Sequence, residues 1–333
     1  MTDTLHDSLI VVDGLQFSNW DRALFEELRA GGLTAVHVTI VYWEDTRATL
    51  TNIAKWHRRF ERHGDLIMPV RNGGDILEAK RRGKIGIIMG FQNCSPIEDE
   101  LAMVQVFHEL GVRIMQLTYN NQSLIGAGCY EADDPGISRF GRQVITEMNR
   151  VGLVIDNSHS AERTTLESIE LSQRPTAITH ANPSSFHSAL RNKSDDVLRA
   201  LSRSGGMLGF SLYPLHLAGA GDCTFDAFCA MVADAADLMG VDHIGIGSDT
   251  CRGWGYETLE WMRSGRWTFD TDYGEGTAAA KDWPAQPAWF QGPADMANLT
   301  AGLRAKGFSD DDVAKIMGGN WLRFMTDGFA PAG

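Results

Sequence analysis

The fold of this chain is predicted most directly by the segment LVIDNSH, residues Leu153–His159. It opens with a short apolar run of the kind that forms a buried strand, and it ends in polar side chains. Two further segments repeat this pattern: Thr176–His180 (TAITH) and His243–Asp249 (HIGIGSD). Buried strands that end in histidine or aspartate are typical of a (β/α)8 barrel, whose active sites lie at the C-terminal ends of the strands.

Strand-like and helix-like segments alternate along the chain. The predicted strands are Leu9–Asp13, Thr34–Tyr42, Leu66–Val70, Ile85–Phe91, Val112–Tyr119, Leu153–His159, Thr176–His180, Met207–Tyr213 and Ile244–Ser248. The predicted helices are Asp21–Ala30, Thr51–His63, Asp75–Arg82, Glu98–Leu110, Gly141–Val151, Ala161–Ser172, Asp195–Ser204, Phe225–Leu238 and Ser309–Met325. The number of strand–helix units is larger than a small doubly wound sheet needs. We therefore predict the α/β class and a TIM-like (β/α)8 barrel. One domain is expected to span residues 1–333.

The segment Thr250–Asp295 interrupts this alternation. It is rich in glycine and proline and contains five of the nine tryptophans of the chain: Trp254, Trp261, Trp267, Trp283 and Trp289. Long loops of this kind are more often functional than idle. We predict that residues 250–295 cover the barrel mouth as a lid or a packing belt. An interface in a homodimer is an equal alternative.

Composition and charge disfavour several kinds of partner. The chain has a net charge of −13 and a sequence isoelectric point near 5.2, and such an acidic surface argues against nucleic acid or an anionic membrane. The N-terminal residues do not have the pattern of a secretory signal, and no apolar run reaches the roughly 18 residues of a membrane helix. The five cysteines are scattered without a CxxC pair, which predicts a reduced, cytoplasmic protein. The expected partner is a small-molecule substrate.

His159 and His180 end strands that are consecutive in the chain. Adjacent barrel strands lie about 4.8 Å apart, so both imidazoles can reach one ion, for which zinc, manganese or nickel is suitable. A single histidine at a strand end is more often a hydrogen-bonded structural residue, and the pair is what favours a metal. Asp249 is a candidate ligand or general base, although such a carboxylate can also simply cap a turn.

Two further positions carry candidate substrate contacts. Arg191 and Asn192 follow the second histidine strand, and an arginine binds a carboxylate through two hydrogen bonds. A surface salt bridge is the alternative role for Arg191. Tyr119 ends another predicted strand, and its hydroxyl is a candidate donor to a developing oxyanion.

At these residues the chain resembles the membrane (renal) dipeptidase family of zinc peptidases, family M19 of the amidohydrolase superfamily. The resemblance covers nearly the whole chain. It is carried by Phe140–Arg142, Glu147–Arg150, Asp156–His159, Thr179–Asn182, Arg191–Asn192, Ile244–Asp249 and Gly318–Asn320. It implies a metal-dependent hydrolase barrel with two zinc ions bridged by a glutamate.

The resemblance also implies roles for particular residues. His159 and His180 match the two histidine ligands of one metal. Asp249 matches the aspartate that binds the other metal and handles the catalytic proton. Arg191 matches the arginine that grips the C-terminal carboxylate of the substrate.

Three departures from the family pattern change this expectation. The family begins its site with Asp-Gly-His-x-Asp, whose histidine and second aspartate bind one metal, whereas this chain has Leu15 and Phe17 at those places. The bridging glutamate is replaced by Gln92, and a substrate-contacting histidine by Tyr119. We therefore expect at most one ion per chain, zinc or another divalent transition metal, held by His159 and His180 with help from Gln92.

Three functions are compatible with these residues. The first is a one-metal hydrolase of a small amide or dipeptide-like substrate with a free carboxylate, in which metal-bound water attacks and Asp249 shuttles the proton. The second is a metal-poor lyase or isomerase that uses Asp249 and Tyr119 as acid and base. The third is a ligand-binding homologue without activity. The Asp-Gly-Leu start and the Gly-Phe-Gln-Asn stretch are similar to relatives encoded near genes for methylated-amine catabolism.

Overall fold

A computed structural model describes residues 4–264, 274–277, 279–280 and 282–331 of the chain. The strands, numbered in chain order, are β1 (Val12–Ser18), β2 (Ala35–Thr39), β3 (Ile67–Pro69), β4 (Ile85–Phe91), β5 (Val112–Gln116), β6 (Val154–Asp156), β7 (Ala177–Ala181), β8 (Met207–Phe210), β9 (Ile244–Ile246) and β10 (Thr250–Arg252). Most of their residues are buried, as expected for strands covered on both faces.

Helices follow most of the strands and form the outer layer. They are α1 (Thr4–Ser8), α2 (Arg22–Ala30), α3 (Thr46–Arg62), α4 (Gly73–Arg82), α5 (Met103–Glu109), α6 (Arg139–Val151), α7 (Glu162–Leu171), α8 (Asp195–Arg203), α9 (Phe225–Met239), α10 (Tyr256–Ser264), α11 (Met296–Ala305), α12 (Asp310–Ala314) and α13 (Asn320–Gly328). Their apolar faces pack against the outward-facing residues of the strands in one large core.

Eight parallel strands close the barrel, in the order β1-β2-β4-β5-β6-β7-β8-β9, and β9 returns to β1 through the pair Asp13 and Ile246. The predicted (β/α)8 barrel is thus confirmed. The predicted strand Leu66–Val70 forms β3 but lies outside the ring, because it pairs only with the first half of β4, whereas β5 pairs with the second half. Strand β10 extends the sheet beside β1.

Side-chain caps fix where many of the helices begin. Seven of the described helices start after a residue whose side chain accepts an N–H of the first turn: Asp21, Asp45, Asn72, Ser138, Ser194, Thr224 and Ser309. Such caps satisfy backbone donors that have no partner within the helix.

The predicted continuous helix Ser309–Met325 is wrong. A wider turn at Lys315–Gly319 separates α12 from α13. At this turn Gly318 lies so close to the start of β1 that a Cβ there would stand 2.3 Å from the carbonyl oxygen of Ile10. The helix is therefore interrupted where the chain passes under the barrel.

The indole of Trp321 on α13 closes the floor of the barrel and is fully buried. It lies against strand backbones where only glycine fits: a Cβ at Gly14 would approach the ring to 2.8 Å, and one at Gly245 would approach its Nε1 to 2.6 Å. The indole N–H donates to the carbonyl oxygen of Ile246 at 2.9 Å. Because Trp321 fills the N-terminal end, the C-terminal end of the barrel is the place for a site.

Candidate active site

The predicted site residues lie at the C-terminal end of the barrel, on four consecutive strands of the ring and on the turn after β9. Gln92 follows β4, Tyr119 follows β5, His159 follows β6 and His180 lies on β7, whereas Asp249 follows β9. All five are buried.

The prediction that a strand reaches His159 is wrong, because the chain turns after Asp156. The Asp156 carboxylate accepts two hydrogen bonds from Ser158, one from its backbone N–H at 2.9 Å and one from its side-chain hydroxyl at 2.5 Å. This local turn directs His159 towards the neighbouring strand β7. The turn thus sets the position of the imidazole.

The two histidines meet at their Nε2 atoms, which are 3.1 Å apart. The Nε2 of His159 is also 3.0 Å from Oε1 of Gln92, whose amide nitrogen donates to the Thr39 hydroxyl at 2.8 Å. Two zinc–nitrogen bonds of about 2.1 Å can span this separation of the Nε2 atoms. The Gln92 Oε1 and the His180 Nε2 thus both lie close to the Nε2 of His159.

The hydrogen bonds on the far side of each ring leave lone pairs at the centre of the cluster. The Oδ1 of Asn120 lies 2.7 Å from Nδ1 of His159, so this nitrogen carries the proton when the amide has this orientation. Thr179 donates its hydroxyl to Asp156 at 2.6 Å and therefore accepts from Nδ1 of His180 at 2.8 Å. Both Nε2 atoms are then acceptors whose lone pairs face each other. A cation bound between them would remove the repulsion between these lone pairs.

The electrostatic environment keeps both imidazoles neutral. Burial, and after it the nearby Arg191 guanidinium, lower the pKa of His159 and of His180 well below the usual value. Neutral imidazole is the form that binds a metal ion.

The ligand set is nevertheless incomplete. Among the residues that the structure describes, no group of three or more His, Cys, Asp and Glu side chains is placed to hold a metal ion. Gln92 adds a neutral carboxamide oxygen where a carboxylate would add charge. The donor atoms of His159, His180 and Gln92 therefore fit one ion held less tightly than at a site with three charged or imidazole ligands.

Aromatic and apolar side chains occupy the part of the site where Leu15 and Phe17 replace ligands of the family pattern. Both are buried in a cluster with Tyr42, Trp43 and Tyr119. Within this cluster the Tyr119 ring stacks on the His159 imidazole, with centroids 4.2 Å apart. The cluster supplies packing and no ligand for a second ion.

Asp249, on the turn after β9, has an unusual backbone conformation. Its φ is +55°, the left-handed region that non-glycine residues rarely adopt, and such strain is typical of functional positions. Burial raises the pKa of Asp249 to about 8, although Arg191 opposes this shift. Its Oδ2 lies 4.0 Å from Nδ1 of His216. A carboxyl group that titrates near neutral pH is suited to proton transfer.

Arg191 is almost completely buried at the edge of the cavity. Its guanidinium donates to the carbonyl oxygens of Ser158 and of His180, the latter at 3.1 Å. Two of its five N–H donors are thus used to fix its position, and the others remain for a ligand. The alternative role of Arg191 in a surface salt bridge is wrong, because the side chain is buried at the barrel mouth.

Asn192 is not brought into the cavity. Its amide nitrogen donates to the carbonyl oxygens of His187 at 2.8 Å and His216 at 3.1 Å, and its Oδ1 accepts the backbone N–H of Asn182 at 3.0 Å. These contacts connect loops at the barrel mouth, so Asn192 stabilises the conformation of these loops.

A cavity of about 70 Å³ lies over the site, enough for a small ligand or a few water molecules. Of the predicted residues, Gln92, Tyr119, His159, Arg191 and Asp249 line it, whereas His180 is fully buried and does not. The other lining residues include Phe17, Asn120, Tyr130, Tyr213, His216, Arg263, Glu275 and Trp283.

His216 and Tyr213 are cavity residues that the sequence prediction missed. His216 is buried, and its Nδ1 lies 2.8 Å from the Ser211 hydroxyl. Burial raises the pKa of Tyr213 to about 12. Tyr213 ends the predicted strand Met207–Tyr213, so the rule that polar residues at a strand end line the mouth could have found it. His216 lies in the helical turn that follows, where that rule gives no guidance.

Of the tryptophans of this segment that the structure describes, Trp283 lines the cavity. Trp289 packs elsewhere, stacked on Phe225 with centroids 4.9 Å apart. Trp267 lies outside the described residues. Glu275, also in this segment, accepts the backbone N–H of Leu190. A lid over residues 250–295 stays a prediction.

The barrel and its polar mouth place the chain in a known class of structures. A solved amidohydrolase from Pseudomonas aeruginosa is 38% identical, covers 98% of both chains and superposes with a TM-score of 0.90. A metallopeptidase from Rhodobacter sphaeroides, solved with a phosphinate mimic of the dipeptide L-Ala-D-Ala, shares the fold at 17% identity and a TM-score of 0.79, covering 95% of this chain and 98% of that one.

A family comparison gives the closer assignment. The model of the membrane dipeptidase family, peptidase family M19, matches residues 16–261. This chain belongs to that family, as its motifs predicted.

Curated relatives agree with the family but are longer. Dipeptidase tcpJ from Claviceps purpurea is 26% identical over 86% of this chain and 61% of its own length. Dipeptidase verJ from Clonostachys rogersoniana is 31% identical over 62% of this chain and 54% of its own. The chain thus spans less than two thirds of either relative. Among the described residues, no helix combines the length and apolar composition required to cross a bilayer.

Proposed function

We propose that this chain is a one-metal hydrolase of a small amide or dipeptide-like substrate that carries a free carboxylate. The observation that carries the proposal has two parts: the Nε2 atoms of His159 and His180 lie 3.1 Å apart, and His159 lines one cavity together with Asp249 and Arg191. Membership of the membrane dipeptidase family supports hydrolysis of an amide bond. A divalent ion such as zinc, held by the two histidines and Gln92, supplies Lewis-acid activation of water and of the amide carbonyl when bound.

The side chains of the cavity have separate roles in this proposal. Arg191 binds the substrate carboxylate, since its guanidinium is already fixed by two backbone carbonyls. Asp249 takes a proton from the attacking water and returns it to the leaving amine. The Tyr119 hydroxyl, whose pKa is raised by burial, stays protonated and donates a hydrogen bond to the developing oxyanion. Phe17 and Trp283 exclude bulk water from the reacting groups.

Ordinary dipeptides are expected to be poor substrates. Leu15 and Phe17 take the place of two ligands, so a second ion that would help polarise the carbonyl is missing, and this costs several kcal/mol of transition-state stabilisation. A panel of carboxylated amides, assayed with and without added zinc beside simple L,L- and L,D-dipeptides, tests the proposal. Rapid cleavage of the simple dipeptides would contradict the one-metal site.

A metal-independent lyase or isomerase is the second candidate. It is favoured by the pKa of Asp249, which lies near 8 and gives both protonation states at neutral pH. The metal content of protein purified without added zinc separates the two. If activity persists after complete chelation, the lyase or isomerase is supported and the hydrolase is not.

Replacing Arg191 with alanine is expected to raise KM by about 100-fold for a carboxylated substrate, because a charge-assisted pair of hydrogen bonds is lost. The same variant should change KM much less for an analogue in which a neutral amide replaces the carboxylate. Steady-state kinetics on both compounds measures the difference. Equal increases for both compounds would show that Arg191 supports the cavity without contacting a carboxylate.

We also propose that the chain works in a reducing compartment such as the cytoplasm. Support comes from its cysteines, all five of which have free thiols.

A further inference from the structure

A second groove, independent of the active-site cavity, runs along α3 on the outside of the barrel. We call it the α3 groove. Its basic end has a volume of about 890 Å³ and is lined by Trp20, Lys55, Arg58, Arg59 and Arg62. An adjoining aromatic end of about 340 Å³ shares Trp20, Lys55 and Arg59 with it. The two ends therefore form one continuous binding surface.

Arg22 at the edge of the basic end pairs with Glu26 and Asp65, but the cations that α3 contributes lack acidic partners among the described residues. Within the described part of the chain, Arg58 and Arg62 enter no ion pair, and Lys55 bonds only to the neutral Asn52. Arg59 stacks over Trp56 at 4.9 Å. Elsewhere on the surface arginines pair within their own helices, as Arg81 and Arg82 do with Glu78, Arg150 with Glu147 and Arg163 with Glu167.

This concentration of unpaired positive charge contrasts with the net charge of −13 for the whole chain. Two carboxylates, Asp21 and Glu61, also line the basic end, but Asp21 is occupied in capping α2. Lys55, Arg59 and Arg62 are spaced i, i+4 and i+7 and so share one face of α3 over about 10 Å. That row matches a ligand with two or more linked anionic groups.

The aromatic end is built from tryptophans. Trp20, Trp56, Trp254 and Trp261 line it together with Tyr42, and Trp261 is 40% exposed. The indole N–H groups of Trp20 and Trp254 are buried and have no acceptor among the described residues. Buried donors normally have a partner, so these two indicate a missing acceptor. The exposed indole of Trp261 and the partly exposed one of Trp254, beside such donors, suit a flat ring with acceptor atoms.

We propose that the α3 groove binds a planar aromatic molecule with a polyanionic tail, the chemistry of a nucleoside di- or triphosphate. The ring stacks among Trp254 and Trp261, and the phosphates lie along Lys55, Arg59 and Arg62.

Helix α10 connects this groove to the active site. Thr258 and Trp261 line the groove, whereas Leu259, Met262 and Arg263 on the same helix line the active-site cavity. The Trp43 indole also donates to the Met262 carbonyl oxygen at 3.0 Å. A ligand in the groove fixes the position of α10 and hence one wall of the cavity, which gives the groove a regulatory role.

Calorimetric titration of the full chain with ATP, inorganic triphosphate and adenosine at low ionic strength tests the proposal. ATP should bind more tightly than either part alone. The double variant Lys55→Ala/Arg62→Ala should weaken ATP binding by about tenfold or more, and Trp261→Ala should weaken binding of ATP but not of triphosphate. Arg47→Ala is the matched control, since it removes a charge from α3 outside the groove, and should leave binding unchanged.

Three results would overturn the proposal. The first is no binding of ATP. The second is an equal loss on Arg47→Ala, which would indicate a diffuse charge effect. The third is binding of anionic phospholipid vesicles in place of nucleotide, which would make the groove a membrane-contact surface. None of these outcomes depends on the reaction at the barrel mouth.

Discussion

The substitution Asp249→Asn is expected to lower kcat by about 1,000-fold or more while changing KM little, because it removes the proton-transfer group and keeps the shape of the side chain. In the wild type, activity should rise with pH up to about 8, since burial raises the pKa of Asp249 to about 8 and the carboxylate is the active base. The measurement is the pH dependence of kcat/KM for both proteins. Glu275→Gln, which changes another carboxylate of the same cavity, is the matched control and should keep most of the activity.

The same substitution should stabilise the metal-stripped protein. The pKa of Asp249 is raised from 3.8 to about 8 on folding, so the folded chain keeps a proton that the unfolded chain releases. The stability that this group contributes is present at low pH and is lost as the pH rises towards 8. The Tm of Asp249→Asn should therefore exceed that of the wild type, with a gap that widens from pH 5 to pH 8. A gap that narrows with rising pH would show that Asp249 is ionised in the fold.

Gln92→Glu is expected to tighten zinc binding by about tenfold to 100-fold, because a carboxylate replaces a neutral oxygen 3.0 Å from the His159 Nε2. Gln92→Leu should weaken binding, and His180→Ala should abolish it. Competition against a chromogenic chelator gives the affinities, and elemental analysis gives the stoichiometry.

The stoichiometry is the sharper test of the site. At most one ion per chain is expected at the barrel mouth, since Leu15 and Phe17 lie in an apolar and aromatic cluster that offers no ligand. Two tightly bound ions per wild-type chain would show that Leu15 and Phe17 do not prevent a second ion from binding. An unchanged zinc affinity in Gln92→Glu would show that this side chain points away from the ion.

The barrel and much of its mouth could be predicted because both depend on local patterns. Apolar runs that end in polar residues placed His159, His180 and Asp249 at strand ends, since strand direction alone brings such residues to one face. The three-residue β3 could not be excluded from the ring in this way. Whether β3 joins the ring depends on which part of β4 is left unpaired by β5. The sequence of β3 alone does not determine that.

Loop conformations limited the prediction of the site. Asn192 adjoins Arg191 in the chain, yet the loop turns its amide towards backbone carbonyls while Arg191 faces the cavity. His216 enters the cavity because the chain forms a short helical turn at Pro214–His216 after β8, not because of any strand. Adjacent positions in an irregular loop can point in opposite directions, so spacing alone did not separate them.

The Trp321 plug also has a consequence for biosynthesis. Residue 321 leaves the ribosome only after every strand of the ring, so the cleft lined by Gly14 and Gly245 cannot be filled before α13 is made. Until then the base of the nascent barrel lacks the indole that closes it. The interval between the synthesis of β9 and that of α13 is thus the period in which the base of the ring is most exposed to aggregation.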